Sequence, residues 1–150
     1  MKPMVRGVAA GYAGTIVMSV VMLVLKRAGM EPGELEPRVV AGNVEEKIGV
    51  RSLLSRRAFE ASWIVLHFGY GSASGAAYVL ARKISGPVRP ALAGPFFGAL
   101  LWALGYCGWL PLFGLYPPPT RVPKRKVAAN IIAHIAYGTT TAAYQRLEDE

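Results

Sequence analysis

Four stretches of this chain carry no Asp, Glu, Lys or Arg: residues 7–25, 61–81, 90–120 and 127–145. No other feature constrains the fold as strongly. About 20 apolar residues in a helix cross the roughly 30 Å hydrocarbon core of a bilayer. Inside that core the backbone must satisfy its own hydrogen bonds, so a spanning segment is a helix unless it closes a barrel. The spacing predicts an all-α, polytopic membrane protein with four transmembrane helices, at about 7–25, 58–81, 91–113 and 127–145. Together they form one transmembrane domain over residues 1–150.

The charges that remain are bunched between the spans. They make up 17% of the chain against 53% hydrophobic residues, and soluble domains usually carry about 25%. The net charge of +8 therefore points to anionic lipid headgroups beside the spans. Nucleic acid is not expected, because no basic soluble domain is left to bind it. The loops at 26–57 and 114–126 hold eleven of the 17 Lys and Arg residues, which predicts that they lie in the cytoplasm and both termini outside. A multi-pass protein of the cytoplasmic (inner) membrane follows. The first span is longer than a signal-peptide core and is followed by Lys26-Arg27, so it is expected to be retained. The single Cys107 has no partner for an intrachain disulfide.

The one long polar stretch, 26–57, contains Glu31-Pro-Gly and Glu36-Pro37, which break a continuing helix. Pro37 suits the first turn of a new one. Val40, Val44 and Ile48 then recur every four residues until Gly49. This predicts an amphipathic helix over about 37–48, lying at the membrane interface.

Within the spans, Gly7, Gly11 and Gly14 in the first and Gly94, Gly98 and Gly105 in the third mark small faces where another helix backbone can come close. Pro111 is expected to kink or end the third span. The second and fourth spans carry the only two histidines, each opening the pattern H-x-x-Y-G: His67 to Gly71 and His134 to Gly138. Each is followed by Ala-Ala-Tyr, at Tyr78 and Tyr144. A glycine-rich helix thus twice precedes a histidine-bearing one. Each hairpin crosses the bilayer twice, so the two run the same way and form a parallel repeat.

Helical spacing places Glu60, His67 and Tyr70 on one face of the second span and Asn130, His134 and Tyr137 on one face of the fourth. Polar groups are costly in a membrane and turn into the bundle. Three uses are open for this stripe. The first is structural, with each His hydrogen-bonding across helices in a packing or interaction bundle. The second is a proton or ion path in a small coupled transporter, for which an imidazole is suited and which four helices would build as a homo-oligomer. The third is a haem held by two axial histidines. No other cofactor is indicated. No close-spaced ligand pair suggests a metal, and no nucleophile–base or phosphate-loop motif suggests an enzyme.

The small first helix from Gly14-Thr15 to Met18-Ser19, the exit Gly114-Leu-Tyr-Pro-Pro118 and Ala133-His134 through Tyr137 resemble small prokaryotic four-helix membrane proteins, loosely including the YagU-like group. The resemblance touches most of the chain and implies an integral inner-membrane protein. It transfers no catalytic residue.

Overall fold

In a computed structural model, residues 2–30, 33–85 and 89–147 are described, and among them the regular structure is entirely helical. Helix α1 runs from Pro3–Arg27, α2 from Glu36–Lys47, α3 from Arg56–Ser85 and α4 from Pro90–Trp102. A wider π-helical stretch, Ala103–Trp109, continues α4 into the single turn α5, Leu110–Leu112. Helix α6, Lys124–Leu147, ends the described chain. The π stretch lies just before Pro111, whose nitrogen cannot donate to the preceding turn, and the backbone leaves helical geometry at Gly108. Gly29 closes α1 at φ +75°, with Met30 N–H donating to the Leu25 carbonyl at 3.0 Å. Only glycine takes that conformation without steric cost.

Among the described residues, three helices are long and apolar enough to cross a membrane: Pro3–Arg27, Arg56–Ile84 and Ala91–Leu112. Many of their large apolar side chains face outward, although Met18, Met22, Phe59 and Tyr78 are buried. In α1, Val8, Tyr12, Ile16, Val20 and Leu23 are exposed, while Gly7, Ala10, Gly11, Gly14 and Thr15 are buried. A water-soluble bundle would show the reverse. Membrane helices lack a hydrophobic drive toward one another, so they pack through small residues.

The helices pack in the order α3, α1, α6, α4. A Cβ built on Gly11 would come within 2.9 Å of the Gly75 backbone on α3. One on Gly14 would meet Thr141 Oγ1 and the Tyr137 carbonyl of α6, the latter at 2.9 Å. Gly94 and Gly98 of α4 press on α6 in the same way, at Gly138 and His134. Thr15 and Thr141, fully buried at these crossings, return their hydroxyls to the carbonyls four residues back, Gly11 and Tyr137. The expected packing face needs one correction at Gly105. It lies in the π stretch, and a Cβ there would touch only Leu110 and Trp109 of its own segment, at 3.9 Å.

Helix α2 is docked against the bundle. Its Gly42 sits on Phe59 of α3, and Asn43 Nδ2 donates to the Leu115 carbonyl at 2.7 Å. Val40 and Val44 face inward as their spacing requires. Ile48 does not share that face: it is 65% exposed, beyond the last helical residue Lys47. The inward face also carries two carboxylates. Glu36 is fully buried, with Oε1 at 3.3 Å from both Lys126 Nζ and Tyr116 Oη. Glu45 accepts the Ser62 hydroxyl at 2.5 Å.

Candidate functional site

Helices α3 and α4 share no extended seam. They meet through aromatic pairs, Tyr78 on Phe97 with centroids 5.0 Å apart and Tyr70 on Trp109 at 6.1 Å. Between them lies a cavity of about 230 Å³. Its walls are Met18 of α1, Leu66 of α3, Leu101 of α4, and Tyr106 and Trp109 of the π stretch; Val40 and Val44 of α2 cover it. Leu66 and Tyr70 line the cavity yet are 47% and 49% exposed, so they stand at its mouth.

The two histidines line this one cavity from opposite helices, with Tyr70, Ser74 and Tyr137. A hydrogen bond fixes which nitrogen of the His134 ring carries the proton. His134 Nδ1 is 2.9 Å from the Asn130 carbonyl, four residues back in the same helix. A carbonyl only accepts, so Nδ1 carries the hydrogen, and the neutral ring keeps its lone pair on Nε2. His67 has a hydroxyl as its partner. Its Nε2 is 3.2 Å from Ser19 Oγ, which also lies 2.8 Å from the Thr15 carbonyl. With the Ser19 hydrogen on that carbonyl, His67 Nε2 donates to Ser19 and the lone pair is on Nδ1; with it on His67, the roles reverse. Neither remaining nitrogen has a partner among the described residues.

Aromatic packing holds the His134 ring. Tyr106 meets it edge-on with centroids 5.6 Å apart, and Trp102 stacks on Tyr106 at 6.3 Å. Tyr137 Oη donates to the Gly71 carbonyl at 2.6 Å, tying α6 to α3 across the cavity floor. The polar handle of a buried tyrosine usually finds such a partner, so Tyr137 is a structural member of the site.

Of the six residues expected in a polar bundle site, His67, Tyr70, His134 and Tyr137 line the cavity. Asn130 lies behind His134. Its carbonyl sets the imidazole, and its Oδ1 is buried without a partner among the described residues. Glu60 stands apart. It accepts from Arg38 Nη2 of α2 and from Trp63 Nε1, each at 2.8 Å. The bond to Glu60 raises the Arg38 pKa above its ordinary value, which keeps the guanidinium charged. Two helical turns, about 10 Å at 1.5 Å per residue, separate Glu60 from His67. Ser19, on the small face of α1, is the partner of His67 that spacing within α3 could not name; Ser74, seven residues after His67 on the same face, also lines the cavity.

Among the described residues, no group of three His, Cys, Asp or Glu side chains is placed to hold a metal ion. No family model matches this chain, and no curated protein or solved structure proved similar to it.

Proposed function

We propose that the chain is an integral membrane protein that holds a small, mainly apolar molecule within the bilayer, in the cavity between α3 and α4. One observation carries this reading: a chamber of about 230 Å³ with apolar walls opens where the outer surface is itself apolar, beside exposed Leu66 and Tyr70. An apolar cavity of about 150 Å³ accommodates a benzene-sized guest. Pockets of this make-up, apolar with a few convergent polar groups, are the usual form of a small-molecule site.

Helix α6 is the fourth span in this reading. Its 24 residues reach about 36 Å at 1.5 Å per residue. Its polar residues Asn130, His134 and Thr141 are buried against protein, which is how a polar residue is tolerated at membrane depth. The hairpins α1–α3 and α4–α6 form a parallel repeat, supported by a glycine crossing in each: Gly11 on Gly75, and Gly98 on Gly138. The seam α1–α6 is closed, while its counterpart α3–α4 is open and holds the cavity. The α2 end faces the cytoplasm, following the Lys and Arg bias of its loops.

The imidazoles favour a hydrogen-bonded guest over haem. An axial pair would bind iron from two sides, but His67 Nε2 is turned to Ser19, 3.2 Å away, and only Nδ1, beside its own Cβ, is left.

Native mass spectrometry from mild detergent, with decylbenzene as probe, tests the reading. One probe per chain is expected to stay bound in the wild type. Leu101→Trp, which fills the chamber from α4, should release it with thermal unfolding unchanged. No retention by the wild type, or equal retention by Leu101→Trp, would overturn the reading.

A further inference from the structure

We infer that the guest is a hydroxylated aromatic ring with an apolar tail, a hydroquinone-type lipid. Its ring hydroxyls donate to His67 Nδ1 and His134 Nε2, and its tail leaves between α3 and α4. This inference rests on the intramembrane cavity proposed above and adds the chemistry of what occupies it.

Three observations lead to that class. The first is the sign of the polar groups. The hydrogen of His134 goes to the Asn130 carbonyl, and in this inference that of His67 goes to Ser19, whose own hydrogen is on the Thr15 carbonyl 2.8 Å away. What each ring has left is an acceptor. A ligand matched to the pair must bring donors. Carboxylates and phosphates bring none when ionised, so fatty acids and phospholipid phosphates are a poor match for this pair. A hydroxyl is the smallest donor that stays neutral at membrane depth, where a charge is costly. Two acceptors on opposite helices call for two hydroxyls.

The second observation is the wall. Tyr106, Trp109 and Tyr70 stand around the histidines, with Tyr106 already edge-on to His134. Aromatic rings favour offset-stacked and edge-to-face neighbours, so this surround selects a flat ring over an alkyl chain. The volume agrees. At about 230 Å³ the chamber exceeds the roughly 150 Å³ that takes benzene, leaving room for ring substituents and little more.

The third observation is the mouth. The tail of such a lipid does not fit inside, and Leu66 and Tyr70 are half-exposed at the cavity edge. Next to lining residues Leu66 and Gly105 in the chain, Val65 of α3 and Leu104 of the π stretch are 68% and 58% exposed. A tail passing there stays in contact with apolar side chains and lipid along its length. The pair Tyr70–Trp109, with centroids 6.1 Å apart, sits across this exit, so its opening admits the ring from the side.

Three probes of equal tail length separate the possibilities: decylhydroquinone, its dimethyl ether, and decylbenzene. Binding is read by native mass spectrometry at matched free concentrations, and by quenching of Trp109 fluorescence in a Trp63→Phe, Trp102→Phe background. The hydroquinone is expected to bind about tenfold or more tighter than the ether, the size of two neutral hydrogen bonds after desolvation. His134→Phe and His67→Phe should each remove several-fold of that preference and leave decylbenzene binding intact. Retained decylbenzene binding also shows that the variants fold. If the ether and the hydroquinone bind alike, the donor requirement is wrong while the apolar cavity stands. If none of the three binds, and Leu101→Trp changes nothing, both readings fall.

Discussion

The crossing of α4 over α6 rests on Gly98, and a single methyl group there has a calculable consequence. A Cβ on Gly98 would lie 2.7 Å from the His134 carbonyl carbon and 3.1 Å from Ile135 Cα, with the His134 carbonyl oxygen closer still. Non-bonded carbons rest at about 3.5 Å or more, so the two helices must part by at least about 0.8 Å at that point. A radial gap of that size forfeits about a quarter to a half of each contact's dispersion energy along the seam. The atoms met are backbone and cannot swing aside. Overpacking of this kind costs roughly 1–3 kcal/mol. Alanine also gains up to about 1 kcal/mol over glycine in a helix interior, which would mask part of that cost. Gly69→Ala in α3 supplies the control, because nothing lies within 4 Å of its Cβ position. The propensity gain is common to both variants, so their difference isolates the steric term. Gly98→Ala should be less stable than Gly69→Ala by about 1–3 kcal/mol, roughly 5- to 150-fold in the folded-to-unfolded ratio. Titration with sodium dodecyl sulfate in mixed micelles, followed by circular dichroism, measures it. Equal stability of the two variants would refute the close approach.

The buried pair at the α2 end gives a larger effect. Glu36 is fully buried and Lys126 nearly so. Lys126→Met strands a buried carboxylate and should cost about 3–5 kcal/mol, most of it restored by adding Glu36→Gln; the same titration reads both. Tyr137→Phe deletes the 2.6 Å bond to the Gly71 carbonyl and should cost about 0.5–1.5 kcal/mol, with circular dichroism unchanged. Asn43→Ala removes the tie between α2 and Leu115. It should speed hydrogen exchange in α2 and leave α6 as protected as before, because that tie holds the cover and not the core.

Much of the architecture is legible in the sequence, since charge placement is an energetic constraint that acts locally. What spacing cannot supply is the neighbour. Gly7, Gly11 and Gly14 read as one small face, yet Gly7 and Gly11 pack on α3 while Gly14 packs on α6. Periodicity says which residues share a face, and the neighbours divide that face between them. Depth is equally hidden. Glu60 and His67 share a helical stripe, but Glu60 lies two turns away, where Arg38 captures it. Glu36 falls on the same four-residue stripe as Val40 and Val44, so its inward position was readable. Its cation, Lys126, lies 90 residues further along the chain and leaves no trace in local pattern. Gly105 matched the glycine spacing of the third span, and the π stretch before Pro111 turned it elsewhere. The two histidines were visible as inward polar groups. Which ring nitrogens they keep free depends on Ser19 and the Asn130 carbonyl, which only the folded arrangement brings to bear.

Fluorescence of Trp109 reads out whether the cavity opens sideways into the bilayer. The protein would carry Trp63→Phe and Trp102→Phe, leaving Trp109 as the only tryptophan, and would be reconstituted in nanodiscs. Lipids brominated along their acyl chains should quench Trp109 strongly, and aqueous iodide should quench it weakly. Strong quenching by iodide with little effect of the brominated lipids would mean that the mouth faces water, and an intramembrane site would be contradicted.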